Sequence, residues 1–158
     1  MADLTAWRLV KPQHGNRADA FSGEGARLFG GRWNAPGTSV IYVSSTLSLA
    51  ALETLAHADR RRFERDYISF KLTIPEVLVL ELRDEDLPED WRVRVVSEGA
   101  RRVGDAWVKA QASVALSVPS VIVPEERNYL LNPAHPQFSE LDIEAPKTFR
   151  FDARLADR

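Results

Sequence analysis

The stretch SVIYVSSTLSLAALETLAH, residues 39–57, contains a strand signal followed at once by a helix signal. Its first six residues are rich in β-branched side chains, which strands prefer. Ser45 or Thr46 can cap a helix that runs to about residue 59, because a hydroxyl accepts hydrogen bonds from the free amides of a first helical turn. The helix is apolar on nearly every side, which is typical of an interior helix. The stretch therefore predicts a strand that leads into a buried helix.

Strand and helix signals alternate irregularly along the rest of the chain. A second helix is predicted over residues 97–111, and residues 67–74 and 77–82 are predicted as antiparallel neighbours joined at Pro75. Residues 11–38 are predicted as a long loop. The other predicted strands cover residues 5–10, 113–116, 118–123, 129–131 and 148–151. Neighbouring strands with two inserted helices predict an α+β domain with mixed or antiparallel sheets.

The composition is that of an ordinary globular domain. The chain has 158 residues, with 44% hydrophobic and 28% charged residues, a net charge of -2 and no cysteine. We expect a single compact domain over residues 1–158, with its core over about 5–151. The lack of a basic excess argues against a general nucleic-acid surface, and the lack of cysteine excludes disulfides and thiolate metal sites.

Membrane and metal signals are also weak. No apolar run is long enough to span a bilayer, so we expect a cytoplasmic protein without membrane contact. The three histidines lie far apart in the sequence and lack the spacing of a metal-binding motif. We therefore expect no metal site.

A second informative stretch is FSGEGARLFGGRWN, residues 21–34. Its many glycines suit tight turns or the close approach of a ligand to the main chain. Arg32 follows Gly31 and precedes Trp33 and Asn34, so an accessible backbone offers its guanidinium as a planar fork for phosphate. The stretch matches neither of the two common nucleotide-binding fingerprints. Phosphate binding by Arg32 and an ion pair between Arg32 and a carboxylate are equally compatible with these residue types.

Glu53 lies in the middle of the apolar helix, and His57 follows one turn later on the same face. A carboxylate there needs a partner, because burial of an unpaired charge is costly. An ion pair with an arginine would satisfy it. A position in a cleft is the alternative, which the small side chains of Ala50 and Ala51 favour. Arg8 and Arg27 are weaker candidates for a site, because surface arginines are commonly solvated.

Ser120 places a hydroxyl within the hydrophobic run VPSVIVP, residues 118–124, and Asn128 and Asn132 follow it. No Gly-x-Ser-x-Gly elbow surrounds Ser120 and no histidine base is evident nearby. Hydrogen bonding to a ligand or to backbone is therefore favoured over covalent catalysis. Tyr42 occupies a strand position, where core packing is the commoner role of a tyrosine.

Taken together, these motifs resemble the RES-domain family nearly from end to end. They are Gly23-Glu-Gly-Ala-Arg27, Gly30-Gly-Arg-Trp-Asn34, Tyr42, Ala51-Leu-Glu53 with His57, and Val118-Pro-Ser120 through Asn132-Pro133. The family is named for an arginine, a glutamate and a serine, which Arg32, Glu53 and Ser120 match here. Ser113 and Ser117 are lesser candidates for the serine.

The resemblance implies a fold similar to that of ADP-ribosyltransferases and an activity that cleaves the nicotinamide–ribose bond of NAD+. NAD+ would be the substrate, with no bound cofactor. Some members of the family resemble hydrolases or phosphorolases of NAD+, and others resemble transferases that modify a protein. A module that binds a nucleotide or a partner without reaction is the alternative.

The resemblance also implies roles for residues and partners. Arg32, Glu53 and Ser120 would be catalytic. The residues expected to contact the substrate are Arg8, Arg27, Gly31, Trp33, Asn34, Tyr42, His57 and Asn132. The protein would be a bacterial toxin with an Xre-type antitoxin partner, which exposed apolar residues such as Phe29 and Trp33 could contact. A homodimer is plausible, although no interface pattern is evident in the sequence.

Overall fold

The computed structural model describes residues 2–156, so the outermost residues of the predicted domain, 1 and 157–158, lie outside the described part. The strands are β1 Asp3–Val10, β2 Ile41–Ser44, β3 Asp66–Pro75, β4 Val79–Glu81, β5 Ala115–Pro119, β6 Arg127–Leu131, β7 Asp142–Ile143 and β8 Lys147–Arg150. The helices are α1 Arg17–Ala20, α2 Glu24–Phe29, α3 Leu47–His57, α4 Glu98–Ala110 and α5 Ala153–Ala156. Short 3-10 helices cover Pro12–His14, Arg60–Arg62, Glu76–Leu78, Asp84–Asp86 and Pro136–Glu140.

The strands form one eight-stranded sheet in the order β4-β5-β6-β2-β1-β3-β7, and β8 also pairs with β3. All pairs are antiparallel except β4 with β5, which are parallel. A parallel pair needs a crossover connection, and α4 lies in the segment that joins these two strands. The mixed sheet with inserted helices is the α+β class that the sequence predicts.

The prediction that residues 67–74 and 77–82 pair with each other is wrong. β3 pairs with β1, β7 and β8, whereas β4 pairs only with β5 at the far edge of the sheet. The chain does not reverse at Pro75 but continues into the 3-10 helix Glu76–Leu78, where Leu78 is buried in the main hydrophobic core. Burial of this side chain directs the chain away from β3.

The prediction of a loop over residues 11–38 is also wrong in part. Asn16 caps α1, because its Oδ1 accepts from the amide of Asp19 at 2.9 Å. Gly23 precedes α2 with a φ of 73°, in the left-handed region that favours glycine. Asn16 and Gly23 thus stand at the starts of two short helices. The sequence did not predict these helices, because glycine-rich stretches are typical of loops.

The two strands predicted over residues 113–116 and 118–123 are one strand, β5, which ends at Pro119. The Oγ of Ser120 accepts from the amides of Ile122 and Val123 at 3.1 Å each. These local bonds form a turn and compete with further strand pairing. The strand therefore ends where Ser120 begins the turn.

α3 begins after Thr46, whose Oγ1 accepts from the amide of Leu49 at 3.0 Å, so the predicted cap is confirmed. The expectation of an interior helix is wrong. Leu49 and Ala50 are buried, but Leu52 is 43% exposed. One side of α3 packs on β1 and β2, and the other side is open. No helix within the described residues is long and apolar enough to cross a membrane.

The helix predicted over residues 97–111 is confirmed as α4, which Ser97 caps through a bond of 3.2 Å from the amide of Ala100 to its Oγ. Ala100 and Trp107 are buried against a hydrophobic cluster that contains Leu116 and Leu130 of the sheet. α4 therefore covers the half of the sheet formed by β5 and β6, next to the segment that carries Arg32.

Candidate functional site

A cleft of about 1290 Å³ opens between α3, the central strands of the sheet and the loop that contains Arg32. Sites for small organic ligands are commonly about 300–1,000 Å³, so this cleft has room for a molecule larger than most of them. Among its lining residues are Trp7, Arg8, Gly31, Arg32, Trp33, Tyr42, Ser44, Ala50, Glu53, His57, Arg92, Arg94 and Asn128. The structure thus brings Arg32 and Glu53 to the same cavity.

The carboxylate of Glu53 is held by neutral donors. Its Oε1 accepts from the Oγ of Ser120 at 2.8 Å and from the Nδ2 of Asn128 at 2.7 Å. Within residues 2–156, Glu53 forms no salt bridge and its Oε2 has no hydrogen-bond donor. The sequence leaves two alternatives open for Glu53, an ion pair with an arginine or a position in a cleft. The structure shows the cleft position and not the ion pair. One oxygen is fixed, and the other is left for a ligand.

Ser120 acts on Glu53 and not on the cleft directly. It is 0% exposed and does not line the cavity. The hydroxyl oxygen accepts from the amides of Ile122 and Val123, so its one proton is directed to Glu53. Ser120 is therefore a positioning residue in this geometry, and a direct contact with a ligand in the cleft is not available to it.

Arg32 lies in the cleft wall and is fixed by main-chain carbonyls. Its Nη1 donates to the carbonyl oxygens of Trp91 at 3.0 Å and Val93 at 2.8 Å. Burial lowers the pKa of Arg32, while the nearby negative charge of Glu53 acts in the opposite direction. The guanidinium remains a cation at any physiological pH. Nη2 and Nε of Arg32 have no acceptor within the described part of the chain and remain for an anionic ligand.

Arg8, a weaker candidate from the sequence, lies beside Tyr42 on the same wall. Its Nε donates to the carbonyl of Ala20 and its Nη1 to the carbonyl of Tyr42 at 3.0 Å. Burial lowers the pKa of Arg8 to about 10, so the side chain is still a cation at neutral pH. No carboxylate in the described residues forms a salt bridge with it. The cleft thus contains a second cation without an acidic partner.

The hydroxyl of Tyr42 fixes the loop that carries Arg32. It donates to Oδ1 of Asn34 at 2.6 Å and accepts from the amide of Trp33 at 3.1 Å. Burial raises the pKa of Tyr42 well above its usual value. A Cβ at Gly31 would lie 2.6 Å from this hydroxyl, so only glycine allows the close approach. The ring of Tyr42 lines the cleft, while its hydroxyl is used within the protein.

α4 holds the same loop from the other side. The Nε of Arg101 donates to the carbonyl of Gly31 at 3.1 Å, and Oδ1 of Asp105 accepts from the amide of Ala35 at 3.1 Å. Between them, Gly104 packs against the backbone of Trp33 so closely that a Cβ would lie 1.7 Å from the Trp33 carbonyl oxygen. The position of Arg32 therefore depends on α4 as well as on Tyr42.

The chain also matches a known protein family. Residues 5–153 match the model of the RES domain. The chain belongs to the RES-domain family.

Two relatives of this RES domain cover almost its whole length. A protein of Yersinia enterocolitica named Toxin Res is 37% identical over 153 residues, which are 96% of this chain and 99% of that protein. A protein of Sphingobium sp. named Prs ADP-ribosylating toxin is 32% identical over 152 residues, which are 94% of each chain.

A solved structure shows the same fold. A chain of the crystal structure of the M. tuberculosis MbcT–MbcA toxin–antitoxin complex matches with a TM-score of 0.76 and 19% identity, covering 98% of this chain and 87% of that one. This match confirms the predicted α+β fold. The resemblance to the RES family is confirmed by the family model and by the sequence relatives.

Three residues predicted to bind the substrate lie outside the cleft of the RES domain, which corrects that assignment. Arg27 is exposed on α2 and forms an ion pair with Glu24, with Nε and Oε2 2.8 Å apart. The side-chain amide of Asn34 is buried and donates to the main-chain carbonyls of Ala26 in α2 and of Thr38 in its own loop. Asn132 is buried as well, and its Oδ1 accepts from the amide of Ala134.

The other sequence candidates are placed as follows. His57 is exposed at the cleft wall, and its Nδ1 lies 2.8 Å from the carbonyl oxygen of Glu53. Trp33 is 3% exposed and stacks on Trp91, so the expectation that it is available to a partner is wrong, whereas Phe29 is 79% exposed. The lesser serines, Ser113 and Ser117, bond to Trp107 and Arg127 and not to Glu53.

Sequence reasoning assigned no role to two residues that contact this site. Asn128 donates to Glu53, and Ser44 donates to Asn128. Only the pairing of β2 with β6 brings these residues together. Within the described residues, no group of three or more His, Asp or Glu side chains is arranged to hold a metal ion.

Proposed function

We propose that this RES domain is the toxin of a toxin–antitoxin system and that it cleaves the nicotinamide–ribose bond of NAD+. The observation that carries the proposal is the fixed carboxylate of Glu53 in a cleft that also holds the cations Arg8 and Arg32. NAD+ presents a pyrophosphate with two negative charges and ribose hydroxyls that can donate to a carboxylate. The charges of the cleft and of NAD+ are therefore complementary.

Glu53 would act on the ribose. When the bond between C1′ and the nicotinamide nitrogen breaks, the electron pair leaves with the neutral nicotinamide, and positive charge develops on the ribose. A carboxylate held in place before the reaction stabilises that charge without reorganisation. Its free Oε2 would accept from a ribose hydroxyl. A lone pair of the acceptor then forms the new bond at C1′, and the proton of the acceptor passes to solvent.

The other wall residues would bind NAD+. Arg32 retains Nη2 and Nε for a phosphate oxygen, and Arg8 adds a positive charge to the same cleft. The ring of Tyr42 would pack against the nicotinamide or its ribose, because the hydroxyl is already bonded within the protein. Trp33 and Gly31 shape the wall that carries Arg32. His57, which lines the cleft one helical turn after Glu53, would contact the substrate.

A second candidate function differs in the acceptor of the ADP-ribose group. Water or phosphate as the acceptor would deplete NAD+, whereas a protein side chain would become ADP-ribosylated. The name of the Sphingobium relative, Prs ADP-ribosylating toxin, favours transfer to a protein as the alternative. Both reactions begin with the same cleavage at C1′, so Glu53 has the same role in both.

An antitoxin partner belongs to the proposal. The match to the MbcT–MbcA complex and the relatives named Toxin Res support a protein that neutralises this one. We propose an Xre-type antitoxin and a cytoplasmic site of action, where NAD+ and the antitoxin meet. Phe29, exposed beside the cleft, is a candidate contact for that partner.

The test is the release of nicotinamide. Purified protein, freed of any partner, is incubated with NAD+ in buffers with and without phosphate, and the products are followed by NMR. Glu53→Gln should abolish release while NAD+ binding persists. Glu64→Gln is the matched control, because Glu64 is an exposed carboxylate that also lines the cleft but does not contact Ser120 or Asn128.

Each outcome assigns a function. Release that depends on Glu53 and yields ADP-ribose or its phosphate identifies the small-molecule acceptor. Release only in the presence of a lysate, together with labelled protein bands from isotope-labelled NAD+, identifies the transferase. Binding of NAD+ without release in either condition overturns the enzyme proposal and leaves a binding module.

A further inference from the structure

Ser44 and Asn128 are directly opposite each other in the sheet. Ser44 is the last residue of β2, and its partner in the antiparallel pairing of β2 with β6 is Asn128. Side chains at such positions are neighbours, with Cβ atoms about 4.5–5.5 Å apart. The register therefore fixes the two polar side chains side by side. Ser44 lies shortly before the start of α3.

The hydrogen bonds of these residues have a defined direction. The Oγ of Ser44 lies 2.7 Å from Oδ1 of Asn128, and Nδ2 of Asn128 lies 2.7 Å from Oε1 of Glu53. A serine hydroxyl can donate to the amide oxygen, and the amide nitrogen can then donate to the carboxylate. If the amide were rotated by half a turn, two oxygens would face each other at Glu53. The carboxylate, which can only accept, thus sets the orientation of Asn128, and the hydroxyl of Ser44 holds the amide in that orientation through its bond to Oδ1.

We propose that Ser44 and Asn128 are positioning residues for Glu53, acting as a relay in which Ser44 holds the amide of Asn128 in place and Asn128 fixes the carboxylate. The proposal rests on the proposed function of Glu53 in NAD+ cleavage. Asn128 and Ser120 hold the same oxygen, Oε1, from two different strand ends. Two donors at one oxygen determine both the place and the rotation of the carboxylate, so that Oε2 is presented to the cleft.

The relay predicts an effect on turnover and not on substrate binding. A displacement of about 1 Å at a reacting group can reduce the rate about 100-fold. Asn128→Leu, which keeps the side-chain volume but removes the donor, should lower kcat for nicotinamide release about 100-fold. Asn128→Asp should lower it further, because the introduced carboxylate repels Glu53. In both variants KM for NAD+ should stay within about threefold, because the arginines that bind phosphate are unchanged.

Ser44→Ala should have a smaller effect of the same kind. The loss of one neutral hydrogen bond corresponds to a decrease in kcat of about 3- to 10-fold. Combined with Asn128→Leu, it should have no further effect, because both changes interrupt one relay. Ser69→Ala is the matched control. Ser69 is a strand serine that is 6% exposed, close to the 5% of Ser44, but its hydroxyl contacts the carbonyl of Lys147 on another strand.

The experiment measures kcat and KM for nicotinamide release together with the carbon-13 NMR signal of the Glu53 carboxyl group. The signal reports the hydrogen bonds at this carboxylate and does not require activity. It should shift in Asn128→Leu and in Ser44→Ala but not in Ser69→Ala. Thermal unfolding confirms that each variant is folded.

The results separate the two proposals. If the wild-type protein releases nicotinamide and Asn128→Leu keeps the wild-type kcat, the relay is overturned and the proposed function stands. If the wild-type protein releases none with or without a lysate, the proposed function fails, and the carboxyl signal alone decides. An unchanged signal in both variants then overturns the relay, and a shifted signal supports it.

Discussion

The Oγ of Ser120 lies 2.8 Å from the Oε1 of Glu53, although 67 positions separate the two residues in the chain. The contact joins the turn after β5 to the middle of α3. Ser120 is buried, so it reaches a ligand only through Glu53. The serine and the glutamate of the family motif are therefore one unit, in which one residue fixes the other.

Ser120→Ala should reduce both turnover and stability. The lost donor allows Glu53 to rotate, and kcat for nicotinamide release should fall about tenfold while KM is unchanged. The amides of Ile122 and Val123 lose their acceptor, which should cost about 1–3 kcal/mol of the free energy of unfolding. Steady-state kinetics and denaturant unfolding measure the two effects.

Ser113→Ala is the control for this change. Ser113 accepts from the indole of Trp107 and donates to the carbonyl of Ala115, far from Glu53 in the hydrogen-bond network. It should lose stability but keep its kcat. An equal loss of kcat in both variants would contradict a specific role for Ser120.

Arg32→Lys should weaken NAD+ binding and loosen the segment that contains Trp91 and Val93. One nitrogen of Arg32 bonds to the carbonyls of Trp91 and Val93, and the remaining nitrogens are free for phosphate. A lysine ammonium is a compact charge without the planar fork of arginine. It therefore cannot bond to these carbonyls and to a phosphate at the same time. KM should rise about tenfold, the value expected for one lost charge-assisted hydrogen bond. Amide hydrogen exchange around Trp91 should accelerate.

The matched substitution is Arg27→Lys. Arg27 lies on α2 in an exposed ion pair with Glu24, and such pairs contribute little to stability. Neither KM nor exchange near Trp91 should change. If Arg27→Lys raised KM as much as Arg32→Lys does, the assignment of the phosphate site to Arg32 would be wrong.

Gly104→Ala should be among the most damaging single changes outside the cleft. The added Cβ would lie 1.7 Å from the carbonyl oxygen of Trp33, so α4 must move away from the loop that carries Arg32. We expect a loss of about 3 kcal/mol in the free energy of unfolding, as for an overpacked core. Activity per folded molecule should also fall, because Arg101 and Asp105 hold the same loop.

Gly25→Ala should stabilise the fold, in contrast to Gly104→Ala. Gly25 is a helical glycine of α2, and nothing lies within 4 Å of the position where its Cβ would be. The better helix propensity of alanine should raise the free energy of unfolding by up to about 1 kcal/mol. Urea unfolding of both variants distinguishes a packing effect from helix propensity. Equal destabilisation by Gly104→Ala and Gly25→Ala would contradict the close packing of Gly104 as the cause.

The tyrosines should make the fold sensitive to alkali. Burial is the first cause that raises the pKa of Tyr42, Tyr67 and Tyr129, which are all three tyrosines of the chain. A group whose pKa is higher in the folded state stabilises the fold below its unfolded value, about 10, and this stability is lost as the pH rises further. Arg8 acts in the opposite direction above about pH 10, because burial lowers its pKa.

Tyrosinate absorbance tests this expectation without interference from Arg8. The unfolded protein in denaturant should titrate near pH 10. The folded protein should show little tyrosinate there, with Tyr42 titrating last, because it has the largest shift. Half of the full signal at pH 10 in the folded protein would contradict burial of these rings.

Much of the fold and part of the site could be predicted from the sequence. The caps at Thr46 and Ser97 depend on residues within three positions of each helix start, and the helices begin where these residues predict. Glu53 in an apolar helix and Arg32 after two glycines are unusual enough locally to mark a site. Both line the cleft.

Other features were decided by tertiary structure. The place of β4 depends on burial of Leu78 and on parallel pairing with β5, which no local pattern encodes. Arg8 resembles a surface arginine in the sequence, yet the carbonyls of Ala20 and Tyr42 fix it in the cleft wall.

The sequence by itself determined that Arg32 and Glu53 are candidates for the proposed chemistry, because residue type and helix position are local properties. Only the tertiary structure decided how Glu53 is held. Ser44, Ser120 and Asn128 are distant in sequence, and they meet at one place because β2, β5 and β6 are neighbours in the sheet. Strand register brings such residues together, and it depends on the pairing and burial of whole strands.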